Sequence, residues 1–249
     1  MNNAYYIAAN SMLCQEKMFD VISGNVSNIN TNGYKKTSVS FSDLMYSLRE
    51  KESEEGYAIG NGITVNEYRK DFSYGDLKVT GNMFDLAFEK DGFLSLSDGT
   101  EQVFTRGGTF QLSKYEDGFY LANSEGYFLL DEYGDKIQVS DEDGAFVIDI
   151  NGNIAFKNSD RKAKLAINSF GNPENLEVLG NNLYKAGNGL KENTQDADII
   201  LRQGSIEQSN VNISVEMTDL IQAQRLYQMN SKVLQVMDEI SGIANRLRK

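Results

Sequence analysis

The chain has 249 residues, a formal charge of −12, no histidine and a single cysteine. A chain this acidic is a poor partner for a phosphate backbone. Without histidine it lacks the commonest general base and the commonest metal ligand, and Ser–His and Cys–His nucleophile systems are excluded.

The charge is concentrated in the middle. Residues 1–30 and 211–249 together hold six basic and six acidic residues, while the body between them holds 18 basic and 30 acidic. Neutral ends can crowd against copies of themselves, whereas an acidic body repels its neighbours and faces water. One cysteine, Cys14, cannot form an internal disulfide and reads as a packed thiol. No apolar run approaches the ~20 residues that span a bilayer. No charged-then-apolar leader is visible at the N-terminus, so the expectation is a chain that stays in the cytoplasm or leaves without cleavage of a signal.

Residues 4–29 predict a helix. Tyr5, Met12, Phe19 and Val26 recur every seven residues with Ala8 and Ile22 between them, a heptad seam in which polar Gln15 takes one inner site. Asn28-Ile29-Asn30-Thr31-Asn32-Gly33 is turn chemistry and ends the helix near Asn30. Residues 31–75 read as a connecting segment with a charged stretch from Arg49 to Glu55.

Residues 76–205 change period. Short apolar runs (Phe93–Leu96, Gln102–Phe104, Thr109–Leu112, Phe119–Leu121, Tyr127–Leu130, Lys136–Val139, Ala145–Ile148 and Lys164–Ile167) alternate with Asp-Gly and Asn-Gly pairs at 91, 98, 117, 143 and 151. Such pairs favour hairpin turns, so this stretch predicts an all-β domain of many short strands.

Residues 213–248 predict a second helix, ~50 Å long. It carries two heptad series on neighbouring faces: Ile213, Leu220, Tyr227 and Leu234, and Leu226, Val233, Ile240 and Leu247. An apolar arc this wide needs either more than one helical partner or cover from the central domain.

The fold class is therefore α+β: N- and C-terminal helices paired as a coiled coil, with a central all-β domain. The expected division is 1–30 and 206–249 as the helices of an inner core, 31–75 as connection and 76–205 as the β-rich outer domain.

Little in the chain reads as chemistry. Asp141 and Asp143 precede Gly144, but Val139 and Ile150 fill the first and last ligand places of a calcium loop. The Asp149, Asn151, Asn153 run has Ile154 where glycine is required, and both stretches read as turns. Gly60-Asn61-Gly62 lacks the lysine of a phosphate cradle. Thr105-Arg106-Gly107-Gly108 reads as a lone turn. Asn25-Val26-Ser27 and Asn212-Ile213-Ser214 match a glycosylation pattern but fall in or beside helices. A carboxylate pair acting on sugars stays open because Asp and Glu are abundant, but there is no tryptophan to stack on a sugar. No cofactor, metal, nucleic acid or small-molecule substrate is expected.

Residues 23–35 read Ser-Gly-Asn-Val-Ser-Asn-Ile-Asn-Thr-Asn-Gly-Tyr-Lys. This resembles the N-terminal signature of the flagellar rod and hook family, with matches at Asn25, Asn28, Asn30, Thr31, Gly33, Tyr34 and Lys35 and departures at Ser23, Gly24 and Ser27. The far end is similar to the family's C-terminal signature through Ser209–Asn212, Glu216-Met217, Ile221, Gln224-Arg225-Leu226-Tyr227 and Asn230-Ser231-Lys232. Phe84–Phe88 with Asp91–Phe93, Phe104–Phe110 and Asn181–Tyr184 resemble its central blocks.

The resemblance implies a homopolymeric axial subunit whose paired terminal helices line an export channel under an outer β layer. Its implied partners are other rod and hook subunits and the flagellar export apparatus, and its implied place is the basal body. It also implies subunit contacts through Tyr5, Met12, Phe19, Asn25, Val26, Asn28, Asn30, Thr31, Gly33, Tyr34, Ile213, Leu220, Gln224, Arg225, Tyr227, Asn230, Leu234 and Ile240. Phe41-Ser42-Asp43-Leu44-Met45 resembles an export motif with Phe41 and Met45 as its anchors; a plain helix turn is the other reading. The length fits a rod subunit better than a hook subunit. The block at 224–232 resembles the distal rod type, which is preferred, while Asp91–Leu94 and Ala244–Leu247 resemble the proximal type. From a different class, a dimeric β-domain binding module remains the alternative.

Overall fold

The computed structural model describes residues 3–44, 47–49, 57–60, 62–115, 118–140, 145–159, 161–187, 192–193 and 199–247. The chain forms two compact units. The first contains residues 1–27, 37–71 and 211–249, and the second contains 28–36 and 72–210. The backbone therefore passes between them four times. Met45 and the segments 50–56, 141–144 and 116–117 lie outside the described residues.

In the first unit, helix α1 spans Asn3–Ser27 and helix α2 spans Ile213–Leu247. Both begin and end within two residues of the sequence expectation. Asn212 caps α2: its Oδ1 accepts hydrogen bonds from the Ser214 and Val215 N–H groups at 3.0 and 3.4 Å, satisfying donors that the first turn leaves open. Among the described residues no helix is long and apolar enough to cross a membrane.

The expected connection also contains strand structure. Thr37–Asp43 pairs antiparallel with Ile63–Lys70, with a register shift between Ser40 and Phe41. Ser47–Arg49 pairs with Tyr57–Ile59 beyond it. Phe41 thus lies in an extended strand and not in a helix turn. The hairpin of Thr37–Asp43 and Ile63–Lys70 packs on α1: the Cys14 thiol donates to the Ile63 carbonyl at 3.5 Å, and the backbone of Gly62 lies against Ile7.

In the second unit the residues 93–97 sit near the centre of an antiparallel sheet. One side runs through 128–129 and 118–122 to 138–139; the other runs through 102–105 and 183–185 to 177–180. A smaller sheet joins 146–148, 153–156 and 162–164. The returning chain closes the unit: 201–203 pairs with 86–88, and 205–207 with 77–79. The core is the inward face of these strands, with Leu96, Leu121, Leu129, Ile154, Leu183 and Leu201 all buried. A second, aromatic cluster holds Phe72, Phe93, Phe104, Phe170 and Tyr184, with edge-to-face centroid distances such as 5.0 Å for Phe104–Phe170.

One expected strand splits. Lys164 ends the smaller sheet and Ile167 begins a strand on the larger one, because Leu165 and Ala166 between them bond to Gly152 and Leu130 in different directions. The turn Asn181-Asn182 has positive φ at both residues, 49° and 59°, the geometry of a tight hairpin reversal that asparagine tolerates. Gly108 is required for a different reason: a Cβ there would stand 1.5 Å from the Leu86 carbonyl oxygen. Gly108→Ala is expected to cost about 3 kcal/mol of stability by forcing these backbones apart, read as a shift in the urea midpoint of the full chain.

Candidate assembly surfaces

Two features dominate the first unit. The first is the contact between its helices. Asn25 meets Glu216 and Phe19 meets Tyr227, so α1 and α2 run antiparallel. On α1 the contacting side has Ala8, Gln15 and Ile22 buried and Met12, Phe19 and Val26 half-buried, while Tyr5 is largely exposed. On α2 it runs Glu216, Leu220, Ala223, Tyr227, Asn230, Leu234 and Met237, in steps of four and three. Leu220, Tyr227, Asn230 and Leu234 were expected as subunit contacts and lie here on the seam within the chain. Glu216, Ala223 and Met237 were not, since two of the three are not markers of an apolar face.

The seam is polar at its closed end. The Asn25 amide, buried beside Glu216, donates to Glu216 Oε2 at 3.1 Å and to the Thr37 carbonyl at 2.8 Å, and its Oδ1 accepts from the Thr37 N–H at 2.9 Å. One side chain of the N-terminal signature therefore ties α1, α2 and the hairpin together. Its burial also places it out of reach of glycosylation.

The second feature is a seam that stands exposed among the described residues. Leu226, Met229, Val233, Val236, Ile240, Ile243 and Leu247 repeat in strict steps of three and four, and each is between 40% and 83% exposed. Leu226, Met229, Val233 and Val236 each stand one residue before a position of the closed seam, so this stripe is rotated from it by about 100°. The expected series 226, 233, 240 and 247 supplies four of its seven positions. Ile213, Gln224 and Arg225 are exposed as well.

The second unit holds the rest of the N-terminal signature. Asn28 and Thr31 form the turn after α1 through a 3.1 Å side-chain bond, Asn30 is exposed and Tyr34 half-buried. Gly33 has φ 70°, donates its N–H to the Glu207 carbonyl at 2.8 Å, and would collide with Gly107 if it carried a Cβ. Beneath it lies a buried ionic node. Lys35 Nζ stands 2.7 Å from Glu207 Oε1 and Arg106 Nε 2.9 Å from Glu207 Oε2, with all three side chains at most 1% exposed. Lys35 also donates to the Ser73 carbonyl at 2.6 Å, and the Gly75 N–H donates to Glu207 at 2.9 Å. Burial pushes the Glu207 carboxyl up, but Arg106, Lys35 and the Gly75 N–H outweigh it and hold the group below its ordinary value of 4.5.

Sequence reasoning passed over this node. Arg106 reads as a lone turn residue, Lys35 as a motif match and Glu207 as nothing in particular. Phe41 is exposed on its strand, and its expected partner Met45 lies outside the described residues. Among the described residues no three His, Cys, Asp or Glu side chains converge on a metal-sized site.

A pair of terminal helices with a spare apolar seam, joined to a β-rich unit, defines an α+β structural subunit. Residues 202–247 match the family model described as the flagellar basal body rod FlgEFG protein C-terminal. Over the full length of both chains the sequence is 32% identical to the flagellar basal-body rod protein FlgG of Borreliella burgdorferi. It is 31% identical to the FlgG of Agrobacterium fabrum over 98% of both, and 27% identical to the rod protein FlgF of Mesorhizobium japonicum over 94% of this chain and 92% of that one. The chain belongs to the flagellar basal-body rod family, whose members are structural proteins and not enzymes.

Glu207→Gln leaves two buried cations facing a neutral amide and is expected to cost about 3–5 kcal/mol in urea unfolding. Because the folded carboxyl titrates below 4.5, its contribution is full above that pH and is lost as pH falls through the folded value. The unmodified chain should therefore lose stability on acidification below 4.5 by an increment that the variant lacks.

Proposed function

We propose that this chain is a self-assembling structural subunit of the flagellar basal-body rod. Its terminal helices pair as a coiled coil and build a helical tube around the export channel, and the β-rich body forms an outer layer. The tube carries torque from motor to hook. The observation that carries this reading is the exposed seam on α2. A Leu-class side chain contributes about 1.5–3 kcal/mol when buried. Seven of them in one register are enough to offset the cost of association, which is of order 4–15 kcal/mol.

The charge distribution supports the same reading, since neutral helices tolerate close lateral packing and the acidic body does not. Residues 1–30 and 206–249 are the inner core in this proposal, and the body around 76–205 is the outer domain. Of the interface residues expected from the sequence, the exposed Ile213, Gln224, Arg225 and Ile240 on α2 are part of its contact surface. The partners are further copies, other rod and hook subunits, and the export apparatus that delivers the chain to the basal body without signal cleavage. Of the rod types, the distal one is preferred on the block at 224–232. The alternative, a dimeric β-domain binding module, predicts a discrete dimer.

Val233→Asp and Ile240→Asp sit on the exposed seam and should leave thermal unfolding of the monomer within about 0.5 kcal/mol. In cells each should abolish incorporation into basal bodies and swimming. Normal motility with either change would sink the proposal, and a concentration-independent dimer would favour the binding module.

A further inference from the structure

Each unit is built on a buried carboxylate, and two short stretches of chain run from one carboxylate to the other. Glu207 holds the node of the second unit and Glu216 the polar end of the helix seam in the first, each at most 2% exposed. Residues 207–216 join the two directly. Residues 35–37 join their partners: Lys35 Nζ pairs with Glu207, and the Thr37 backbone is held by the Asn25 side chain, which donates in turn to Glu216.

Lys36, between these anchors, is held as well. Its N–H donates to Asn210 Oδ1 at 2.7 Å, and the Asn210 amide donates to the Ser73 carbonyl at 3.2 Å and to Ser73 Oγ at 3.1 Å. The same Ser73 carbonyl takes Lys35 Nζ at 2.6 Å. Three consecutive residues thus meet fixed groups in order, Lys35 at Glu207, Lys36 at Asn210 and Thr37 at Asn25. The boundary between the units falls between Lys36 and Thr37, so the last anchor of the second unit is followed at the next residue by one of the first. Every hydrogen bond in the series lies within a single unit, and only the backbone passes from one to the other. Adjacent Cα atoms are about 3.8 Å apart across a planar trans peptide, which leaves no slack to absorb a shift at either anchor.

We infer that residues 35–37 and 207–216 form a coupling ladder, through which the ionic node of the second unit and the polar end of the helix seam in the first tighten and loosen together, with Asn210 as the middle rung. The physical link is one anchored stretch of backbone whose docked state both nodes require. Loosening at Asn25 therefore weakens the Gly33 and Gly75 N–H bonds to Glu207, although no side chain beside them has changed. Coupling is reciprocal, so loosening around Glu207 is felt at Asn25. The device belongs to the single chain and does not depend on assembly.

Amide exchange, followed residue by residue by NMR on the full-length chain, tests this. Asn25→Ala should speed exchange at Gly33 and Gly75 by about tenfold, an ordinary size for coupling between sites, while Leu130 and Ile137 in the larger sheet keep their rates. Asn210→Ala, a change at a half-buried side chain, should speed exchange at Lys36 and also at Thr37, whose acceptor Asn25 is untouched. Circular dichroism checks that helix content is unchanged. Acceleration of Lys36 alone in Asn210→Ala, or unchanged Gly33 and Gly75 in Asn25→Ala, overturns the ladder. Equal acceleration of Leu130, Ile137, Gly33 and Gly75 in Asn25→Ala overturns it too, because the second unit would then have been destabilised as a whole.

Discussion

A single buried carboxylate, Glu207, holds the second unit's longest-range connections. It takes Lys35 from the segment after α1 and Arg106 from the middle of the β body, and its own strand pairs with 77–79. Charges this deep are stable only together, so none of the three segments can leave without stranding the others. The surrounding backbone is shaped to permit the approach. A Cβ at Gly33 would meet the main chain of Gly107, and one at Gly75 would meet that of Gln208. Arg106 is held from its faces too, with its guanidinium 5.5 Å from the Tyr74 ring and 5.9 Å from that of Phe93. The family's N-terminal signature and its central Arg-Gly-Gly block are thus two sides of one attachment.

The first unit uses polarity in another way. Its closed helix contact includes Gln15, Asn25, Glu216 and Asn230 among apolar residues. Buried polar groups at seam positions cost stability but fix register and orientation, because a slipped pairing leaves them without partners. The exposed seam of α2 contains only Leu, Met, Val and Ile. One helix thus presents a selective face to its own chain and an exposed apolar face beside it.

Much of this was legible in the sequence. The helices announce themselves by a period that strands cannot imitate, and the turn at 28–33 sets the end of the first. The β body was readable from Asp-Gly spacing. The connecting hairpin was not: Thr37–Asp43 and Ile63–Lys70 alternate apolar residues with so many polar ones that neither stands out. The split of the run at Lys164–Ile167 depends on which sheet each residue bonds to, and periodicity does not carry that. Part of the closed seam was hidden because Glu216 and Ala223 do not look like core. The ionic node was hidden more completely, since nothing local marks residues 35, 106 and 207 as neighbours.

The backbone passes between the two units at 27–28, 36–37, 71–72 and 210–211. Most two-unit chains are joined by one linker, which a single break severs. Here tension between the units divides over four covalent strands, and no single peptide cleavage sets either unit free. This threading acts as a four-stranded tether written into the order of the sequence.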